Sequence, residues 1–129
     1  MTQETPYQML GGGTRVRELV DRFYDLMDSE AAFHGIRTLH QPDLAQAREK
    51  LFMFLSGWLG GPPLYEQKHG NPMLRARHLP FSIGVPERDQ WMACMTRSMQ
   101  DVGVQEPLRQ ALAQAFFKTA DFMRNRDQA

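Results

Sequence analysis

Apolar residues in this chain recur at steps of three and four, and nowhere hold a step of two for long. After Gly11-Gly12-Gly13, the positions Val16, Leu19, Val20, Phe23 and Met27 fall on one side of a helix. That spacing marks a single buried stripe on a 3.6-residue turn. Tyr24 lies four residues after Val20 and three before Met27, so its ring points into the same face. Thr14 is placed to cap this helix, and Asp28-Ser29 to stop it and cap the next. A short helix over about Pro6 to Leu10 precedes the triple glycine, which breaks it because glycine loses the most backbone entropy in a helix.

Further along, a short helix is expected from about Glu30 to Leu39. Pro42-Asp43 opens a stronger one, with Leu44, Ala47, Leu51, Phe54, Leu55 and Trp58 as its stripe. Gly60-Gly61-Pro62-Pro63 ends it. Leu64 to Gly70 shows no clear period and reads as a loop. Asn71-Pro72 looks like a cap with proline in the first turn, and Pro80 keeps that helix short. Another helix begins near Pro86 with Glu87 in its first turn, sharing a face of Trp91, Cys94, Met95, Ser98, Met99 and Val102 until Gly103. The last starts near Glu106-Pro107, and its buried stripe is Leu108, Leu112, Ala115, Phe116, Thr119, Phe122 and Met123. Arg124 and Arg126 then suit the negative end of its dipole. With no period-two stretch, the fold class is all-α.

Length and charge narrow the picture. The 129 residues suit one domain spanning 1–129, long enough to bury a real core. A formal net charge of zero gives no strong pull toward nucleic acid or acidic membranes. No apolar stretch reaches the length of a membrane span, and the N-terminus lacks the basic start and apolar run of a signal peptide. Cys94 stands alone, so no intrachain disulfide forms; a reducing, cytoplasmic setting is expected. The nine methionines suit irregular apolar gaps in a core, more than a ligand pocket.

Candidate chemistry centres on His78, in Asn71-Pro-Met-Leu-Arg-Ala-Arg-His78-Leu-Pro-Phe-Ser-Ile-Gly84. A histidine bracketed by arginines and apolar residues suits a flat, apolar, dianionic disc with a metal at its centre. One imidazole nitrogen binds the metal, and the other needs an acceptor such as a carbonyl on the preceding turn. Taken alone, such a histidine is more often a satisfied core residue. Tyr24 and Trp91, taken alone, are more often packing, and His40 beside Gln41-Pro42 could equally be a surface turn residue. His34 and His69 read as surface histidines. A zinc site from the four histidines lacks the short paired spacing such sites show. Cys94 reads as a buried, inert thiol. No phosphate-cradling glycine loop or nucleophile elbow is present.

Longer strings carry a family resemblance. They are Gly11-Gly12-Gly13, Phe23-Tyr24-Asp25, Leu44-Ala45-Gln46-Ala47, Met53-Phe54-Leu55, Trp58-Leu59-Gly60-Gly61-Pro62, His69-Gly70-Asn71-Pro72, Leu74-Arg75-Ala76-Arg77-His78, Pro80-Phe81 and Glu87-Arg88-Asp89-Gln90-Trp91. From about Gly11 to Phe122 the chain resembles the truncated haemoglobins of the second group, the O-type. The resemblance implies a globin-like, two-on-two helical sandwich around haem b, with His78 as the proximal iron ligand. It implies a polar distal cage of Tyr24, Trp91 and His40, the last at a position where relatives carry tyrosine, phenylalanine or histidine. Ala47 falls where larger globins keep a distal histidine, which leaves room beside the iron. Phe23, Leu51, Phe54, Leu74, Phe81, Ile83 and Met95 are expected to line the cofactor. Lys50, Tyr65 and Arg77 are expected to meet its propionates, and Arg75 to face solvent. The ligands implied are dioxygen, nitric oxide, carbon monoxide or peroxide, in a monomer or homodimer. No flavin or nicotinamide domain is evident, so any turnover needs a separate reductase. Bulk oxygen transport fits a slow-releasing cage poorly. A peroxidase or nitric oxide dioxygenase remains an alternative, and a non-haem helical interaction module is the alternative of another class.

Overall fold

The computed structural model describes residues 4–126. Helices α1 (Pro6–Leu10), α2 (Gly13–Ser29), α3 (His34–Arg37), α4 (Ala45–Trp58), α5 (Leu64–His69), α6 (Leu74–His78), α7 (Val85–Asp101) and α8 (Leu108–Phe122) are joined by turns, with one 3₁₀ turn at Ala31–Phe33. There is no strand among the described residues, and no helix long and apolar enough to cross a membrane. Two helix pairs make the frame. α2 packs on α4, α7 packs on α8, and the α2–α7 contact joins the pairs.

The long helices follow their apolar stripes. On α2, Val16, Leu19, Val20, Phe23, Tyr24, Leu26 and Met27 are all buried. They meet Leu55 and Leu59 from the α4 segment, Cys94, Met95 and Met99 from α7, and Leu112 and Phe116 from α8 in one core. Each such side chain, fully buried, stabilises the fold by about 1.5–3 kcal/mol. Among the described residues Ser56 and Ser98 are the buried polar ones, and each hydroxyl donates to a carbonyl, Pro62 O at 2.7 Å and Cys94 O at 2.7 Å. α1 is held by its own capping box between Thr5 and Gln8, and Tyr7 N donates to Leu59 O at 2.9 Å. The Tyr7 ring lies where any Cβ at Gly61 would sit, so only glycine admits α1 against the end of α4.

Several local expectations need correction. Thr14 caps nothing: Gly11 and Gly12 take φ +120° and +82°, the chain reverses there, and α2 is already under way at Gly13. The helix expected over Glu30–Leu39 breaks into the 3₁₀ turn and a single α turn. Extended backbone at Glu30 starts the break, and Arg37 pulls the later carbonyls of Gln41 and Pro42 onto its guanidinium. α4 begins at Ala45 rather than at Pro42-Asp43; the Asp43 carboxylate instead accepts from Ala45 N. The stretch read as a loop after Pro63 is helix α5, six residues long, too short to show a period. Asn71 accepts from Met73 N, one turn ahead of α6, so it shapes the approach rather than the helix. Met73 itself is left-handed at φ 47°, a conformation that costs a non-glycine residue about 1–2 kcal/mol. On α8, Phe122 is 61% exposed and does not belong to the buried stripe, and Arg124 and Arg126 lie beyond the helix end.

Candidate functional site

A cavity of about 440 Å³ opens among α2, α4, α6, α7, α8 and the turns around them. That volume lies within the roughly 300–1,000 Å³ typical of cofactor and ligand sites. Its lining is mainly apolar, with Tyr24, His40, Lys50, His78, Glu87, Arg88 and Trp91 among the residues that bring polar atoms to it.

His78 sits in the last turn of α6 and is half-buried at the cavity. Its Nδ1–H donates to Leu74 O at 2.6 Å, one turn back. This bond fixes the tautomer, so Nε2 keeps its lone pair for another partner. Asn125 steadies the chain that follows. Its Nδ2 donates to Phe81 O at 2.7 Å and to His78 O at 3.2 Å, while its Oδ1 accepts from Ile83 N at 2.9 Å.

His40 repeats the arrangement. Its Nδ1–H donates to Ile36 O at 2.9 Å, again four residues back. Burial lowers its pKa from the ordinary 6.5; the Arg37 guanidinium and the neighbouring His78 ring act the same way, against the opposing bond to Ile36. The ring is therefore neutral at pH 7 and offers an Nε2 acceptor, not a donor. Two residues hold the turn that carries it. Arg37 bridges Asp28, Gln41 O and Pro42 O at 2.8, 2.9 and 2.8 Å. Gln90 on α7 accepts from Ile36 N at 3.1 Å, and its amide fills the space a Cβ at Gly35 would need.

Tyr24 meets His40 edge to face, ring centroids 5.7 Å apart, and meets Phe23 likewise at 5.1 Å. Burial pushes its phenol well above the ordinary tyrosine range, an effect that Arg48 partly offsets. Its hydroxyl thus stays protonated and able to donate. Arg48, in turn, is fixed by Asp21 and Asp25 and lies 5.9 Å from the Tyr24 ring centroid. Trp91 lies 5.3 Å from Phe23 and 5.6 Å from Phe116, and its indole N–H is a donor only.

Of the residues singled out from sequence, Tyr24, His40, Ala47, Lys50, Leu51, Phe54, Leu74, His78, Phe81, Ile83 and Trp91 all border the cavity. Phe23, Tyr65, Arg77 and Met95 do not. Phe23 and Met95 are almost fully buried behind it, in the core. Tyr65 packs edge-on to Phe54 at 6.5 Å. Arg77 spends its Nε–H on Pro72 O at 2.7 Å and lies 5.9 Å from the Tyr65 ring centroid. Arg75, expected to face solvent, is exposed, and from there it donates to Phe122 O at 2.5 Å and Arg124 O at 2.9 Å. Cys94 is buried, donates to Phe23 O at 3.2 Å, and has its thiol pushed up to about 12 by burial. The sequence reading missed Ile36, Leu39, Gln46, Thr119 and Met123 as lining, and Asn125, Arg37 and Gln90 as supports. Thr119 and Met123 carried a signal on the expected α8 stripe, and Gln46 and Gln90 carried one in the family strings.

Two stacked helix pairs closing on an apolar cavity, with a half-committed imidazole at its wall, make a globin-type pocket. Comparison with known proteins is specific. The model of a family described as bacterial-like globin matches residues 5–125. Group 2 truncated hemoglobin YjbI of Bacillus subtilis (strain 168) is 39% identical over 124 residues, covering 96% of this chain and 91% of the relative. A cold-adapted truncated hemoglobin from the Antarctic marine bacterium Pseudoalteromonas haloplanktis TAC125 superposes with a TM-score of 0.92 at 42% identity, over 95% of this chain and 99% of the other. The group II 2-on-2 hemoglobin of the plant pathogen Agrobacterium tumefaciens gives 0.94 at 38% identity, over 98% of each. The chain belongs to the bacterial-like globin family, among the group 2 truncated haemoglobins, with their two-on-two helical fold. Haem is the cofactor of this family and diatomic gases such as oxygen are its ligands. The non-haem helical module finds no support. The cavity suits haem on its own chemistry, through an apolar lining and an imidazole whose second nitrogen is already hydrogen-bonded.

Proposed function

We propose that this chain is a haem b protein that binds dioxygen and holds it, rather than delivering it in bulk. The observation that carries this reading is the His78 imidazole, bordering the cavity with Nδ1–H committed to Leu74 O and Nε2 free. Haem held there would supply an iron at which a diatomic gas binds. His78 would hold that iron through Nε2. Leu51, Phe54, Leu74, Phe81 and Ile83 would pack the ring, and Ala47 would leave space for the gas.

The donors facing that gas would be the Tyr24 hydroxyl and the Trp91 indole. Such donors stabilise negative charge built up on the ligand in a water-poor pocket. Each bond to a charged partner is worth about 1.5–3 kcal/mol, enough to slow release greatly. His40 belongs to the cage as an acceptor, suited to orient the Tyr24 O–H rather than to donate to the gas. Lys50 is the cavity's lysine for one haem acid. Arg77 uses only its Nε–H on Pro72, so its two terminal nitrogens can turn to the other. Phe23, Met95 and Tyr65 serve as backing for the lining.

Slow release suits ligand sensing or redox chemistry on oxygen, nitric oxide or peroxide. Electrons for any turnover would come from a separate reductase. A single buried thiol fits a reducing, cytoplasmic setting. The test is haemin titration of the purified protein. A strong Soret band should grow to one haem per chain, and His78→Ala should lose it severely. Equal uptake by that variant would remove His78 from the iron.

A further inference from the structure

Aromatic rings run in continuous contact from the cavity to a partly exposed position at the end of α4. Trp91 borders the cavity. Its ring meets Phe116 at 5.6 Å and 62°. Phe116, 2% exposed, stacks on Trp58 at 4.7 Å and 16°, almost parallel. Both spacings lie within the roughly 4.5–7 Å of favourable ring pairs. Packing alone would explain buried aromatics. It does not explain why both ends of the series are indoles, one facing the cofactor cavity and one reaching solvent. Indole gives up an electron far more readily than a benzene ring. Phe116 can therefore bridge two indoles without being oxidised itself. Neither Trp58 nor Phe116 borders the cavity.

We propose that Trp91, Phe116 and Trp58 form a path along which an oxidising equivalent leaves the haem cavity when the protein meets hydrogen peroxide. Trp58 is then a second, surface site of one-electron oxidation, for aromatic donors too bulky to enter the cavity. The inference rests on the haem reading above. Its balance is simple. One hydrogen peroxide and two donors AH give two waters and two A radicals. The O–O bond breaks, each donor loses one electron and one proton, and both oxygens leave as water. Of the two oxidising equivalents, the haem would keep one. The other is an electron vacancy in Trp91, refilled from Trp58, whose indole N–H then gives its proton to solvent until a donor restores both. Tyr24 lies on a side branch, 5.1 Å from Phe23 and through it beside Trp91. A phenol must release its proton to hold the vacancy, and burial opposes that release.

The test treats ferric, haem-loaded protein with one equivalent of hydrogen peroxide. Freeze-quench electron paramagnetic resonance and peptide mass spectrometry then locate the radical and the added oxygen. The expected result is an indole radical and oxygen addition at Trp58. Phe116→Leu, matched for its Soret band, should cut that addition severalfold. Trp58→Phe should drive the damage back to Trp91 and bleach the haem severalfold faster. An unmodified Trp58 in the wild type, while Trp91 or haem is damaged, overturns the path. So does Trp58 oxidation that persists when cyanide blocks the iron, since that is attack from bulk solution. Unchanged Trp58 oxidation in Phe116→Leu removes the bridge. A chain that takes up no haem sinks both readings, and the missing Soret band shows this before peroxide is added.

Discussion

Two histidines in this pocket are wired alike, and the difference between them lies in what surrounds them. His40 and His78 each donate Nδ1–H to the carbonyl four residues back, so each turns Nε2 outward. For His40, burial and nearby positive charge depress the folded pKa below 6.5. A depressed base binds fewer protons folded than unfolded, so stability rises with pH across that window. It is complete above pH 6.5 and is lost as pH falls toward the folded value. His40→Gln should lose less stability than wild type between pH 7.5 and 5.5 in parallel urea unfolding curves. A wild type that falls no further than the variant would mean His40 is solvated. Tyr24 is suited to donate instead, because burial keeps its proton in place. Tyr24→Phe keeps the ring and removes one bond of about 1.5–3 kcal/mol. Oxygen dissociation from the ferrous protein, followed by stopped flow, should speed up roughly ten- to a hundredfold. An unchanged rate would leave Trp91 as the working donor.

Long helices and short ones were not equally readable. α2, α4, α7 and α8 run 14 to 17 residues, enough turns for an apolar stripe to declare itself. α3 and α5 have four and six residues, under two turns, and tertiary contacts shape them: Gln90 on Ile36, Arg37 on Gln41 and Pro42, and Tyr65 on Phe54. The site shows the same split. Tyr24, Trp91, Leu51 and Phe54 took their site roles from the family resemblance, and the long periodic helices they ride fixed only which face each occupies. Asn125 could not be placed, because its partners His78, Phe81 and Ile83 lie 42 to 47 residues earlier in the chain. It clamps the turn that links α6 to α7, and α6 has no side-chain cap of its own. Three hydrogen bonds of about 1 kcal/mol each, partly replaced by water, make Asn125→Ala cost roughly 1–2 kcal/mol. Thermal unfolding should show that loss. Transfer of haem to an excess of an apoglobin scavenger should be faster as well, because the His78 turn is loosened. A stability loss without faster transfer would detach Asn125 from the haem side of the fold.

Across the whole molecule, the cavity is where the elements meet: α2, α4, α6, α7 and α8 all contribute to its wall. The α2–α7 contact joins the two helix pairs through the core, but α6 contributes no buried residue to that core. Its grip comes from Arg75 and Asn125 at the chain end, and from whatever fills the cavity. A cofactor that binds only the folded chain stabilises it by mass action, about 4.1 kcal/mol at a free concentration a thousandfold above Kd. Haem addition should therefore raise the unfolding midpoint strongly, and hydrogen exchange should slow most in 74–83, where α6 has no buried residue of its own. His78→Ala separates the contributions. Ring packing by Leu51, Phe54 and Ile83 would survive in that variant, while the bond from the imidazole to the iron would be lost. Its midpoint should rise much less with haem, and 74–83 should stay fast-exchanging. Equal protection in variant and wild type would mean that packing alone, and not the imidazole, fastens α6 to the cofactor.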